Sequence, residues 1–177
     1  MKMPSMTVDK VKEAFEAIDK LTRIKVLVGV PSDKADRVPS YEDPTVKMNN
    51  AALAYIHENG APEANIPARP FLVPGVRGAS QKIAERFGSM AKRIISVKQG
   101  RVNASVVETG FKGVGLIAQS AVKKKITDGP FEALAPATVA ARRARHKGRK
   151  ANTAKDTRPL IDTGAMRNSI NFVLRIK

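Results

Sequence analysis

The apolar positions of the chain follow two periods, one helical and one extended. Between residues 8 and 21 they recur at steps of three and four, which predicts a helix with one apolar face. In residues 24–30, and again in residues 170–176, they recur at every second position, which predicts strands. Because these strands lie near both ends of the chain, we expect one small antiparallel sheet covered by the helices between them. The expected fold class is α+β.

Caps and helix breakers divide the middle of the chain into helices. A short helix should follow a cap at Asn49 or Asn50 and stop at Gly60, with this glycine in the left-handed αL conformation. A Pro-Gly pair should then precede a long helix over about residues 79–96, whose apolar residues again form one stripe.

A second long helix is predicted between a cap at Asn103 and the breaker Asp128-Gly129-Pro130. Three glycines lie in its interior: Gly110, Gly113 and Gly115. Each costs about 1 kcal/mol relative to alanine. These glycines therefore predict either close packing against a neighbouring element or a break in the helix.

Length and composition fit one domain spanning residues 1–177 with a buried core. The chain has 177 residues, of which 42% are hydrophobic, and it contains no cysteine. A disulfide framework and a thiolate metal site are therefore excluded. No apolar run approaches the roughly 18–20 residues of a membrane span, and the first residues lack the apolar region of a signal peptide. We expect a protein that is made and kept inside a cell until assembly or lysis, without a membrane partner.

The charge of the chain predicts an acidic partner. Lysine and arginine number 32 against 16 acidic residues, for a net charge of +16. Pro136 can begin a short basic helix that reaches about Arg145, and a basic loop or arm is expected over residues 142–159. This arm is either a solvated loop or the surface that meets a partner or DNA. Its candidate contact residues are Arg142, Arg143, Arg145, Lys147, Arg149 and Lys150.

The sequence offers no recognisable catalytic constellation. Of the two histidines, His57 lies in His-Glu-Asn-Gly, which lacks the second histidine of a zinc-binding helix. No phosphate-binding glycine loop and no Gly-x-Ser-x-Gly elbow is present. We therefore predict that the protein is not an enzyme and binds no cofactor or metal.

The stretch Asn65-Ile-Pro-Ala-Arg-Pro-Phe-Leu-Val-Pro-Gly75 is the most rigid of the chain. Pro67 and Pro70 push the residues before them into extended geometry, so a stiff bridge between two helices is expected. Phe71 should point into the fold, and Arg69 can bond nearby carbonyl groups or Glu58. In the later segment Pro-Leu-Ile-Asp-Thr-Gly, the carboxylate of Asp162 or the hydroxyl of Thr163 could cap a short helix at Gly164.

Three segments in one order resemble a known family. They are NNAALAYIHENGAPEANIPARPFLVPGV, FEALAPATVAARRAR and RPLIDTGAMRNSINFVL. Together they resemble the head–tail joining, or tail-completion, proteins of tailed bacteriophages and prophages. We refer to them as the first, second and third motif. The motif residues that the resemblance marks as candidate ring contacts are Arg69, Pro70, Phe71, Asp162, Thr163, Gly164 and Arg167.

The resemblance implies a structural virion protein of the neck. Several copies would form a ring that joins the DNA-filled head to the tail and leaves a channel for double-stranded DNA. Its partners would be further copies of itself and the neighbouring neck, connector and tail proteins. A tail terminator that caps the tail tube is an alternative within this class, and a basic nucleic-acid-binding module is an alternative outside it. Sixfold and twelvefold rings both remain open, as does the type of tail.

Overall fold

A computed structural model describes residues 19, 22–36, 48–95, 104–145 and 157–176. The helix predicted before residue 21 lies almost entirely outside this part of the chain. So does the middle of the basic arm, including Lys147, Arg149 and Lys150. The predictions for these segments stay predictions.

The two predicted strands pair with each other. Strand β1 (Ile24–Gly29) runs antiparallel to β2 (Asn171–Ile176), with Ile24 opposite Ile176 and Gly29 opposite Asn171. Because side chains alternate across a strand, Val28 and Phe172 share the face that packs on the core. A two-stranded sheet built from both ends of the chain, with helices between its strands, confirms the α+β prediction.

Helices occupy most of the described residues between these strands. They are α1 (Asn50–Asn59), α2 (Leu72–Gly78), α3 (Ser80–Ile95), α4 (Ala104–Asp128), α5 (Pro136–Arg145) and α6 (Ala165–Ser169). The predicted cap of α1 is confirmed, because the side chain of Asn49 accepts a hydrogen bond from the backbone N–H of Ala52 at 2.8 Å. No helix in the described segments is both long and apolar enough to cross a membrane.

Helix α4 is the central element of the fold. It contacts both strands of the sheet as well as α2 and α3. Its glycines mark two of these contacts, since a Cβ atom at Gly115 would meet the Phe172 ring and one at Gly110 would meet the Met90 side chain. Helix α4 runs unbroken through all 25 residues. Of the two alternatives that the glycines left open, close packing is therefore the one observed.

The long helix predicted after the Pro-Gly pair is confirmed as α3, but the short helix α2 that precedes it was not predicted. Helix α2 begins at Leu72, before this pair, so that Pro74 is its third residue. Proline is tolerated there because the first backbone N–H groups of a helix have no intrahelical acceptor. Gly75 is buried where α2 crosses α4, and a Cβ atom there would lie 2.9 Å from the Cα atom of Val122. The stiff extended stretch therefore ends at Phe71.

Gly60 ends α1 in a conformation other than the predicted one. Its φ of 80° has the expected positive sign, but its ψ of 170° is extended rather than left-handed helical. After α1 the chain forms an isolated antiparallel bridge between Ala61 and Ile66. The extended ψ of Gly60 directs the chain into this bridge. A Cβ atom at Gly60 would lie 2.9 Å from the backbone nitrogen of Ala68, so a side chain is excluded by space as well as by φ.

The core draws on distant parts of the sequence. Phe71 is 1% exposed, as predicted, and packs with residues of α4 and of the segment around α6. The buried cluster consists of Phe71, Val122, Ile126, Leu160, Met166 and Ile170. The first and third motifs therefore meet on the carboxyl-terminal half of α4.

The crossing of α2 and α4 allows a test at two glycines of one helix. Gly75→Ala should lower the free energy of unfolding by about 1–3 kcal/mol, because the new methyl group meets the backbone of α4. Gly78→Ala is the matched control, since nothing lies within 4 Å of a Cβ atom there. Its stability should be unchanged or slightly raised, as helix propensity favours alanine. Denaturant unfolding measures both, and equal stabilities would contradict the close crossing.

Candidate functional site

Arg69 joins the first motif to the second. It is 5% exposed, and its backbone N–H donates to the carbonyl of His57 at 2.7 Å. Its Nε donates to the Glu132 carbonyl at 2.9 Å, and its Nη2 donates to the Ala133 carbonyl at 3.1 Å. The predicted bonding to nearby carbonyls is thus confirmed, and the acceptors lie in the loop before α5, which no local sequence pattern identifies.

Glu58 caps α2 rather than pairing with Arg69. Its carboxylate accepts backbone N–H groups from Phe71 at 2.7 Å, from Leu72 at 2.8 Å and from Val73 at 3.1 Å. These N–H groups belong to the start of α2, where no intrahelical acceptor exists and where the helix dipole favours a negative charge. The pair of α1 and α2 is therefore fixed by one side chain of the first motif.

Arg142 joins the second motif to the third. It is 8% exposed, and its Nη1 donates to the carbonyls of Arg158 at 2.7 Å and Ile161 at 3.1 Å. Its Nη2 donates to the Pro159 carbonyl at 3.3 Å. The prediction that Arg142 faces a partner or DNA is wrong, because the loop before α6 wraps around its guanidinium group and presents carbonyl oxygens to it.

The other basic candidates of α5 lie on its surface. Arg143 is exposed, and Arg145 is partly exposed and donates from Nη2 to Oδ2 of Asp162 at 2.9 Å. Asp162 is therefore an ion-pair partner of α5 and not the cap of α6. The hydroxyl of Thr163 accepts from the backbone N–H of Ala165 at 3.2 Å, so of the two predicted caps Thr163 has this contact. Gly164 has a φ of 84°, which explains why a glycine stands before α6.

A cavity of about 200 Å³ lies between α1, α5 and the loop before α6. His57, Arg142 and Asp162 line it together with Leu53, Leu160 and Met166. The Nδ1 atom of His57 and the Oδ1 atom of Asp162 are buried and have no hydrogen-bond partner among the described residues. The cavity is thus a polar pocket at the place where the three motifs meet.

The surroundings of the histidine in this pocket favour its neutral form. Burial lowers the pKa of His57, and the positive charges of Arg69 and Arg142 lower it further. Two arginines beside one imidazole leave no favourable place for a third positive charge. His57 lies on α1 and is half-buried, and the two arginines around it could not be read from the sequence.

The ring-contact candidates divide by burial. Arg69 and Phe71 are buried inside the subunit, so they can affect ring contacts only through the shape of the subunit. Pro70 and Thr163 are exposed, while Gly164 and Arg167 are half-buried. Arg167 donates from Nε to the hydroxyl of Thr127 on α4 at 2.9 Å. The candidates of the first and third motifs therefore do not form one exposed patch.

Comparisons with protein-family models, with curated proteins and with solved structures find no match for the chain. Within the described segments, no three side chains of histidine, aspartate or glutamate are grouped to hold a metal ion.

The role of Arg142 can be tested against its neighbour in sequence. Arg142→Met should lower the free energy of unfolding by about 2–5 kcal/mol, because the carbonyls of Arg158, Pro159 and Ile161 lose a shared donor. Arg143→Met removes the same charge from the surface of the same helix, and should change stability by at most about 0.5 kcal/mol. Denaturant midpoints compare the two, and equal effects would show that Arg142 is not a structural link.

The pocket also predicts a pH dependence of stability. Because the pKa of His57 is lowered in the folded state, the unfolded chain binds this proton first. Stability should therefore fall as the pH drops from about 7.5 to about 5.5 through the unfolded pKa of histidine. His57→Gln should flatten this dependence, whereas His146→Gln, which removes the other histidine, should retain it. An unchanged pH profile in His57→Gln would exclude His57 as the titrating group.

Proposed function

We propose that this chain is a structural protein of a tailed-phage virion, placed in the neck, where several copies form a ring. The ring joins the filled head to the tail and leaves a channel through which DNA passes. The observation that carries the proposal is the presence of three motifs, in one order, that resemble those of head–tail joining and tail-completion proteins.

The contacts between the motifs support treating them as one unit. Arg69 of the first motif bonds the loop that begins the second motif, and Arg142 of the second bonds the loop that begins the third. Each of the first two motifs thus supplies an arginine that donates hydrogen bonds to backbone carbonyls of the next motif. A chance match to one short motif would not be expected to produce this chain of contacts, since each link needs two segments that lie far apart in the sequence.

The mechanism of such a protein is assembly rather than turnover. Arg69 and Arg142 make their hydrogen bonds inside the subunit, so the surfaces left for neighbours are exposed ones such as Pro70, Thr163 and Arg143. The net charge of +16 would attract acidic faces of adjacent rings, the DNA in the channel, or both. Fixed charges repeated around a ring multiply weak contacts into firm and salt-sensitive attachment.

Deletion of the gene from the phage or prophage that encodes the chain tests the joining role. The lysate should contain DNA-filled heads and complete tails that remain separate, with infectivity lost and restored by the wild-type gene in trans. Electron microscopy and plaque counts give the two readouts. Normal infectious particles in the deletion lysate would refute the proposal.

The same micrographs separate the joining protein from a tail terminator. A protein that caps the tail tube would leave tubes of uncontrolled length, whereas a joining protein leaves tails of normal length. Complementation with Arg143→Met and Arg142→Met adds a control for folding, since only Arg142 is buried. A failure confined to Arg142→Met would reflect the subunit fold, while a failure of Arg143→Met would place the exposed face of α5 at a contact.

A further inference from the structure

The polar pocket between α1, α5 and the loop before α6 contains two buried atoms that call for a ligand. Nδ1 of His57 and Oδ1 of Asp162 have no hydrogen-bond partner among the described residues, and both residues line the same cavity of about 200 Å³. Buried polar atoms are rarely left without a water or a ligand to meet them. Because Thr163 lines the cavity and is exposed, the pocket reaches the surface, and its volume admits a small organic group.

The two oxygens of Asp162 have different surroundings. Arg145 donates from Nη2 to Oδ2 at 2.9 Å. Oδ1 lies 3.9 Å from Nε of Arg142, which is too far for a hydrogen bond. The Nη groups of Arg142 donate to three backbone carbonyls of the loop before α6. Oδ1 is therefore placed to accept a hydrogen bond from a molecule in the pocket.

The charges around the pocket favour a neutral ligand. The positive charges of Arg69 and Arg142 act on His57, where they lower the pKa beyond the effect of burial, so a cation would meet the same repulsion. An anion would place its charge against Oδ1 of Asp162. Apolar side chains form another part of the wall and suit a short hydrocarbon stem: Leu53, Leu160 and Met166.

A carboxamide group matches both buried atoms. Its NH2 group has two hydrogens, so it can donate to Oδ1 of Asp162 and also to Nδ1 of His57 where this nitrogen is the acceptor of the neutral imidazole. Where Nδ1 carries the hydrogen, the carbonyl of the same amide accepts it, whereas a hydroxyl group meets both atoms only in this second case. We propose that the pocket binds a neutral carboxamide through His57 and Asp162, carried either by a small molecule or by an asparagine or glutamine side chain of a second copy of the chain.

Probes of one shape test this chemistry on the purified full chain. Propionamide, 2-butanone, propionate and propionamidinium share a heavy-atom skeleton but differ in hydrogen-bond donors and charge. NMR of the His57 ring and the Met166 methyl group should show saturable shifts with propionamide. Binding of 2-butanone, which lacks the donors, should be about three- to tenfold weaker, and both ions should also bind more weakly. Equal binding of all probes, or no saturable shift with propionamide, would overturn the proposal.

Asp162→Asn should reverse the preference of the pocket. Because Arg145 donates to Oδ2, the new amide should keep its oxygen there and turn its NH2 group to the position of Oδ1. This variant should therefore bind 2-butanone, which only accepts, better than propionamide. Arg145→Gln is the matched control, since it leaves Oδ1 in place and should still prefer propionamide. An unchanged preference in Asp162→Asn would refute the assigned role of Oδ1 and with it the proposal.

His57→Phe is the second variant and carries the test should Asp162→Asn fail to fold. It keeps an aromatic ring on α1 but removes Nδ1. Propionamide binding, followed at the Met166 methyl group, should weaken by about three- to tenfold. Binding of 2-butanone relative to propionamide should rise accordingly. Undiminished propionamide binding in this variant would contradict the proposal.

Sedimentation of the purified chain separates the two sources of the carboxamide. If a second copy supplies it, saturating propionamide should shift the chain toward smaller species, because the probe competes with that side chain. Unchanged sedimentation together with saturable binding assigns the pocket to a small molecule. Only the second-copy source rests on the ring proposed above. The NMR titration uses the purified chain and the gene deletion uses particles, so failure of one proposal is distinguishable from failure of the other.

Discussion

The structure depends on two buried guanidinium groups, which donate hydrogen bonds to backbone carbonyls of loops that belong to no helix or strand. Arg69 binds the carbonyls before α5, and Arg142 binds those before α6, each through two or more hydrogen bonds. A hydrogen bond that involves a charged group stabilises the folded state by about 1.5–3 kcal/mol, so each arginine contributes to holding these partly buried loops against the rest of the fold. Arginine suits the role better than lysine because its planar fork offers five donors in fixed directions.

The two buried arginines also change the electrostatic surroundings of the neighbouring side chains. Burying two cations is costly, and the cost is offset by carbonyl dipoles and, near Arg142, by Asp162, whose Oδ1 lies 3.9 Å from Nε. Glu58, the acid predicted as a possible partner of Arg69, instead accepts hydrogen bonds from the start of α2. Burial lowers the pKa of His57, and the positive charges of Arg69 and Arg142 lower it further. Charges placed for structural reasons thereby favour the neutral form of a residue on another helix.

The sequence predicted what depends on local periodicity and missed what depends on distant partners. Both strands and the ends of α1 and α5 followed from alternation, capping and proline position. The start of α2 was missed because its capping carboxylate, Glu58, lies 14 residues before Leu72. Arg142 was expected on the surface because it stands in a run of basic residues. Its burial depends on carbonyls 16–19 residues away, which no local pattern reveals.

The contrast between buried and exposed motif residues also bears on which residues would recognise a partner. The motif residues that look most distinctive in the sequence, such as Arg69 and Phe71, are buried, and their contacts explain their identity without any partner. Arg143, by contrast, belongs to the second motif and is exposed. In the proposed ring, the subunit fold and the contact surface would therefore be specified by different residues. The buried motif residues would identify the kind of subunit, while exposed charges would determine what it binds.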